Sequence, residues 1–313
     1  MIKRTIEISR EPLHLAVKLD QLQLWRQRPE SGLAASIPCE DIGFVVVDNP
    51  GATYSHDALA RLIRFGAVVV ICNDKHLPSG LLLPLSDHTE VVWRLHEQIA
   101  LRKPVRKQLW RQIVVAKVRA QAANLPDDSP ARRRLLLLAR EVKSGDATNV
   151  EAHTAKLYWS AWLSPQTPFH RDPDCTEGIN AMLNYGYAVV RAAVARALVS
   201  AGLHPALGLH HRNRGNAFCL ADDMLEPLRP LVERAVRALN HAGQTTLDPA
   251  GKRELLSLLT ATVRVGDQTG PLMVGLHRTM ASLVRCIQGQ EKRLLLPIFV
   301  ESTPACEPDE TCT

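Results

Sequence analysis

Two adjacent histidines, His210 and His211, lie in a glycine-flanked segment between Gly208 and Gly215, and three carboxylates, Asp222, Asp223 and Glu226, follow within a short distance. On a helix, residues three and four apart are neighbours, so Asp223 and Asp222 share a face with Glu226, while Leu220, Met224 and Leu228 supply the apolar stripe. Three like charges on one face repel, and a cation relieves them. Carboxylate oxygens suit Mg²⁺ or Mn²⁺, and an added imidazole tilts the choice toward Mn²⁺. The same spacing also describes a solvated acidic face, with Arg212 and Arg214 neutralising the carboxylates directly. Adjacent side chains do not readily turn to one metal, so at most one of His210 and His211 is a ligand.

A fourth carboxylate, Glu151, opens a predicted helix in the run Asn149-Val150-Glu151-Ala152. By itself, an acid in a first turn is accounted for by the helix dipole. The run Asn180 to Leu198 is rich in small residues and reads as a central core helix, which sets the geometry of the histidine segment that follows Gly202. Basic residues gather at Arg102, Lys103, Arg106, Lys107 and Arg111, and again at Arg132-Arg133-Arg134. They are solvated faces or contacts to a phosphate backbone.

The elements that must position these groups change character near residue 90. Before it, short apolar runs alternate with turn signals. Leu13 to Val17 and Leu22 to Trp25 suggest a hairpin, and Gly43 to Val47 and Ala67 to Cys72 read as buried strands. A helix interrupts them, with Ser55 as its cap, Leu59, Leu62 and Ile63 on one face, and Gly66 at its end. After residue 90 the spacing is helical, starting with Val91, Val92, Leu95 and Ile99. Further helices are predicted near 105–123, 131–142, 147–162, 175–202, 216–243, 249–260 and 270–288. Pro227 and Pro230 force a break near Glu226, and residues 165–173 form a loop.

The expected class is therefore α+β: a small β-sandwich-like domain with an inserted helix over residues 1–90, a larger all-α domain over 91–300, and a polar, disordered tail over 301–313. Thirty-eight Lys and Arg against 32 Asp and Glu leave a formal charge of +6, which agrees with a nucleic-acid partner without requiring one. The seven cysteines include no CxxC pair, which excludes a disulfide frame and a thiolate zinc site and points to a reducing cytoplasm. No apolar run has membrane-spanning length and no signal peptide is evident, so no membrane is expected.

Several blocks are more specific: Thr53-Tyr54-Ser55, Cys72 to Pro78, Asn149 to Ala152, Leu183-Asn184-Tyr185-Gly186-Tyr187, Gly202 to Gly208, and Leu220 to Asp223 with Glu226-Pro227-Leu228-Arg229-Pro230. In these, and over nearly its whole length, the chain resembles the CRISPR-associated integrases of spacer acquisition, in the form that accompanies a single large effector nuclease. The resemblance implies a prokaryotic cytoplasmic, metal-dependent DNA endonuclease and integrase. A 3′-hydroxyl of a short DNA fragment would attack a phosphodiester of the CRISPR repeat. It implies Mn²⁺ or Mg²⁺ held by Glu151, His211 and Glu226. His211 is selected over His210 by the family's Gly-x-x-His spacing from Gly208, and some members place an aspartate nearer Asp223 in the last position. Asp222 and Asp223 would then support the ligands, and Arg212, Arg214, Arg102, Lys103 and Arg106 are candidates for holding DNA. The implied assembly is a homodimer, two of which join a second, smaller adaptation protein in a heterohexamer, with the effector nuclease as a further candidate partner. A non-catalytic DNA-end-binding scaffold and a metal-dependent nuclease acting on branched DNA in repair are the competing functions.

Overall fold

A computed structural model describes residues 3–26, 32–85, 88–163 and 169–300. The expected tail over 301–313 and part of the expected loop over 165–173 lie outside them. The first strands are β1 (Arg4–Ile8), β2 (Leu13–Lys18), β3 (Gln21–Arg26), β4 (Leu33–Pro38), β5 (Ile42–Val47) and β6 (Thr53–Tyr54). Then come α1 (His56–Arg64), β7 (Val68–Cys72) and β8 (Pro78–Leu82). They form two four-stranded sheets, ordered β1-β5-β7-β8 and β4-β3-β2-β6. The β2–β3 hairpin turns on Leu19 and Asp20, both at positive φ, which matches the right-handed twist of the strands it joins. Helix α1 is capped as its sequence suggests: the Ser55 hydroxyl accepts from the Ala58 N–H at 3.2 Å, and Gly66 ends it at φ +70°.

Strand β5 is buried along its whole length, and its two faces go to different cores. Val45 and Val47 point into a cluster between the two sheets with Leu15, Leu22 and Leu62. Phe44 and Val46, with Val68 and Val70 of β7, join the core of the helical region. A strand buried on both faces reads as the continuous apolar run seen here rather than an alternating one.

The helical region comprises α2 (Val91–Ala100), α3 (Lys103–Ala123), α4 (Pro130–Glu141), α5 (Val150–Trp162), α6 (Gly178–Ser200), α7 (Cys219–Leu225), α8 (Arg229–His241), α9 (Pro249–Ser257) and α10 (Leu272–Ile287). Helix α6 is buried nearly all round, as the sequence suggests. At Gly186 a Cβ would stand 2.4 Å from Val232 Cγ1, so the missing side chain is what lets α8 approach. The predicted helix over 216–243 is broken as expected: α7 ends at Leu225 and a 3₁₀ turn covers Glu226–Leu228 before α8.

The α+β class and its order, strands and then helices, hold. The larger region is not all-helical, however. It carries a three-stranded sheet of β9 (Thr262–Val265), β10 (Gln268–Pro271) and β11 (Ile298–Phe299), in the order β10-β9-β11. The cause is local: Thr262, Val263 and Val265 favour a strand, and Gly266 at φ +65° makes the turn. No helix among the described residues is long and apolar enough to cross a membrane.

Candidate active site

Helix α3 buries Trp110, Ile113, Val114 and Val118 on one face, and Lys117 sits among them with 7 % of its surface exposed. An ammonium in such a place must be paired. Its Nζ lies 2.5 Å from Glu151 Oε1 and 2.5 Å from Glu226 Oε2. Two of the three residues singled out from the sequence are thus brought together, around a lysine that sequence reasoning missed. Its signal was present: one lysine between Ile113, Val114 and Val118 on the buried stripe of the helix.

Glu151 is held by the turn before α5. Asp146 Oδ1 and Oδ2 accept from the N–H groups of Val150 and Glu151, each at 2.9 Å, and so cap the helix. Gly145, Asp146 and Asn149 all take positive φ to make that turn. Glu226 is 5 % exposed. Its Oε1 accepts from Arg229 Nε at 2.9 Å. Burial pushes the Glu226 carboxyl up, but the charges of Arg229 and Lys117 outweigh it and bring its pKa down to about 2. Burial also works against the Lys117 charge, and Glu226 and Glu151 more than reverse that, leaving its pKa raised. The Arg229 guanidinium lies 4.6 Å over the Tyr187 ring, and the Tyr187 hydroxyl donates to buried Glu233 at 2.9 Å.

The histidine segment is organised by Asp223, which is fully buried. Oδ2 accepts from the N–H groups of Leu209 at 2.6 Å and His210 at 3.0 Å. Oδ1 takes the His211 N–H at 3.2 Å and meets His211 Nδ1 at 2.6 Å. Both oxygens of Asp223 are therefore committed to the loop. A Cβ on Gly208 would sit 2.4 Å from the His211 carbonyl oxygen and 3.0 Å from Asp223 Oδ2, so only glycine allows the loop to close this tightly. The hydrogen bond that His211 donates to Asp223 raises the His211 pKa, burial opposes it, and the charges of Asp223 and Glu226 add to the rise. With Nδ1 engaged, Nε2 is the nitrogen left for another partner. His210 takes a different course: its ring stacks on Trp110, with centroids 4.2 Å apart and planes at 2°.

Asp222 turns to other partners. Arg191 on α6 pairs with it at 2.7 Å, and Asn216 Nδ2 donates to it at 2.6 Å. The three carboxylates of one helical face thus have three separate settings. The cations that balance them are Lys117, Arg229 and Arg191, not Arg212 and Arg214, which are exposed. Arg106 lies close to Arg212: burial, and then that neighbouring charge, lower the Arg106 pKa. These two form a basic edge on the histidine side. Arg102 and Lys103 are exposed at the start of α3.

In kind, two carboxylates and an imidazole nitrogen suit a hard divalent cation, and Glu151 and Glu226 already enclose a positive charge. In placement, no three His, Cys, Asp or Glu side chains among the described residues converge as a metal shell. Lys117 holds the position between the two glutamates, and His211 is tied back to Asp223.

The family model described as CRISPR associated protein Cas1 matches residues 7–264. The CRISPR-associated endonuclease Cas1 of Neisseria meningitidis serogroup C (strain 8013) is 36 % identical over 273 residues, covering 86 % of this chain and 88 % of that protein. A CRISPR-associated endonuclease Cas1 of Pyrobaculum aerophilum is 28 % identical over 266 residues, covering 80 % and 89 %. Among solved structures, a casposase bound to integration product has a TM-score of 0.77 at 20 % identity, covering 99 % of this chain and 96 % of that one. A Cas6-RT-Cas1–Cas2 complex has a TM-score of 0.74 at 16 % identity, covering 94 % of this chain and 36 % of that one. At these identities the structural likeness speaks for the fold.

Proposed function

The chain belongs to the CRISPR-associated Cas1 family, and on that premise we propose that it is a metal-dependent DNA integrase and endonuclease that inserts short DNA fragments into a CRISPR repeat array. The observation that carries this reading is the convergence of Glu151 and Glu226 on one buried cation beside the Asp223-held His211. A relative named as an endonuclease and a casposase structure named for its integration product support the reaction class.

Glu151, His211 and Glu226 are the residues that would hold Mn²⁺ or Mg²⁺, which supplies Lewis-acid chemistry at the scissile phosphate when bound. Without it, two carboxylates face two cations, Lys117 and Arg229, and the cluster is neutral. With a dication held by Glu151, His211 and Glu226, the cluster would carry a net positive charge, which would favour a phosphodiester beside Lys117 and Arg229. Lys117, now paired with both glutamates, would then be placed to offer its ammonium to that phosphate. Asp223 keeps His211 oriented, with Nε2 outward. Arg106, Arg212 and Arg214 hold the DNA backbone beside the loop, and Arg102 and Lys103 extend that contact. The fragment's 3′-oxygen forms a bond to the repeat phosphorus, and the existing bond to the repeat's own 3′-oxygen breaks. The protein's share is positioning and charge stabilisation.

A homodimer joined to a smaller second adaptation protein, in a heterohexamer, is the proposed assembly. The structural neighbours titled as Cas1–Cas2 and Cas1–DNA complexes support partners of these two kinds.

The test is strand transfer of a labelled fragment into a repeat-containing plasmid with Mn²⁺ or Mg²⁺. Glu151→Ala and His211→Ala are expected to fall to background, and His210→Ala to retain transfer. Wild-type transfer by both of the first two variants would show the assigned site to be wrong. A dead His210→Ala beside an active His211→Ala would reverse only the choice between the histidines.

A further inference from the structure

On the side of α3 turned away from Lys117, an open cleft of about 880 Å³ is lined by Arg111, Arg119, Arg140, Arg234, Arg264 and Arg293, with no carboxylate among its lining residues. That departs from the chain as a whole, where 32 acids nearly match 38 bases. Arg111 donates to the Val142 carbonyl and Arg234 to Asn124 Oδ1. Arg119, Arg140, Arg264 and Arg293 are exposed and make no ion pair or hydrogen bond among the described residues. Six guanidinium groups around one concavity repel one another unless an anion joins them.

The shape restricts that anion. Arg111 and Arg119 are eight residues apart on one helix, so they are spaced about 12 Å along it, beyond the reach of one phosphate group. Arg264 and Arg293 come from the C-terminal sheet and the segment before β11, on other walls of the cleft. The lining is apolar between the charges, through Leu295, Pro297 and the half-buried ring of Phe299. Spaced cations along a groove with an aromatic and apolar lining make the pattern that binds a single nucleic-acid strand, with phosphates on the arginines and sugars and bases on the apolar surface. The volume is that of a small-molecule cleft and holds a few nucleotides, whereas a duplex has a major groove alone about 12 Å wide. None of Lys117, Glu151, His211 or Glu226 lines the cleft.

We propose that this cleft binds single-stranded DNA at a site separate from the reacting groups, holding a strand of the substrate that is not being joined. The choice of DNA rests on the proposed integrase function; the polyanion site rests on the cleft alone.

The test uses full-length protein carrying Glu151→Ala, so that no strand is consumed, with and without the pair Arg119→Glu and Arg264→Glu. Binding of a fluorescein-labelled oligonucleotide of about 12 nucleotides, single-stranded or as a hairpin duplex, is followed by anisotropy across a salt series. The arginine pair is expected to lower single-strand affinity about tenfold or more and to reduce the salt slope by about 1.4, from two contacts at about 0.7 each, with duplex affinity changed far less. Both positions are exposed and unpartnered, so an unchanged melting curve is expected to accompany the loss. Unchanged single-strand affinity and slope, an equal loss for the duplex, or no single-strand binding by the parent would each overturn the proposal. If wild-type protein never transfers strands while the arginine pair still abolishes single-strand binding, the integrase reading fails and the cleft stands.

Discussion

Glu226→Ala is expected to lose strand transfer and, at the same time, to destabilise the fold by about 3–5 kcal/mol, because removing one member of a buried ion cluster leaves its partners uncompensated. Lys117 would keep Glu151, but Arg229 would lose the carboxylate that accepts from it. The pH dependence tests the cause. Glu226 is 5 % exposed, and its pKa is lowered from 4.5 to about 2. A depressed carboxylate contributes stability that is present above the unfolded-state value of 4.5 and is lost as pH falls through about 2. The size of that contribution is about 3 kcal/mol. Urea unfolding of wild type and Glu226→Gln should therefore show a gap that is constant above about pH 5 and narrows progressively below it. A gap that stays flat into acid would show that Arg229 and Lys117 do not hold this carboxylate charged.

Asp223→Ala is expected to be nearly as damaging, although it alters none of the three proposed metal ligands. It strips the acceptor from three backbone N–H groups, that of Leu209 buried and those of His210 and His211 partly so, and from His211 Nδ1. Each orphaned donor costs about 1–3 kcal/mol where water does not reach it, so a loss of about 3 kcal/mol or more is expected. The histidine loop then has nothing to close on, and strand transfer should fall to background. Asp223→Asn rescues little, since its amide NH₂ would face donors. His211 reports the mechanism. Its pKa is raised in the folded protein, first by the Asp223 hydrogen bond. That contribution to stability is complete below the ordinary histidine value of 6.5 and is lost as pH rises through the folded-state pKa. Imidazole titration by NMR should show the His211 pKa falling back in Asp223→Ala, along with the loss of this stability dependence. An unshifted His211 would sink the assignment.

Local pattern made much of this architecture readable. The capped α1, the β2–β3 hairpin, the buried strands at 42–47 and 68–72 and the break at Glu226 follow from residues within one or two turns of one another. The small C-terminal sheet was less readable. Its third strand is only Ile298–Phe299, and it pairs with β9 across the whole of α10. In the site, the shared helical face of Asp222, Asp223 and Glu226 was visible, but what each carboxylate does was not. Arg191 and Lys117 arrive from other helices, and the histidine loop, though close in sequence, folds back on Asp223 from outside the helix, so spacing along one helix carries no information about these partners. Glu151 shows the same limit. The helix dipole was a sufficient reason for an acid at that position, and only the tertiary approach of α3 showed a second one.

The double-faced burial of β5 has a consequence for modularity. A cut near residue 90, where the composition changes, separates two stretches of chain but not two self-sufficient bodies. Phe44, Val46, Val68 and Val70 belong to the larger core although they lie in the smaller stretch. A fragment that ends there would present a bare valine-rich sheet face to water, and the helices left behind would lack the wall that α6 rests on. Recombination between relatives at that seam would succeed only where both parents carry matching shapes on the two sides of β5. The place where such proteins can be cut and rejoined is therefore set by a strand in the middle of the first domain, and not by the linker that follows it.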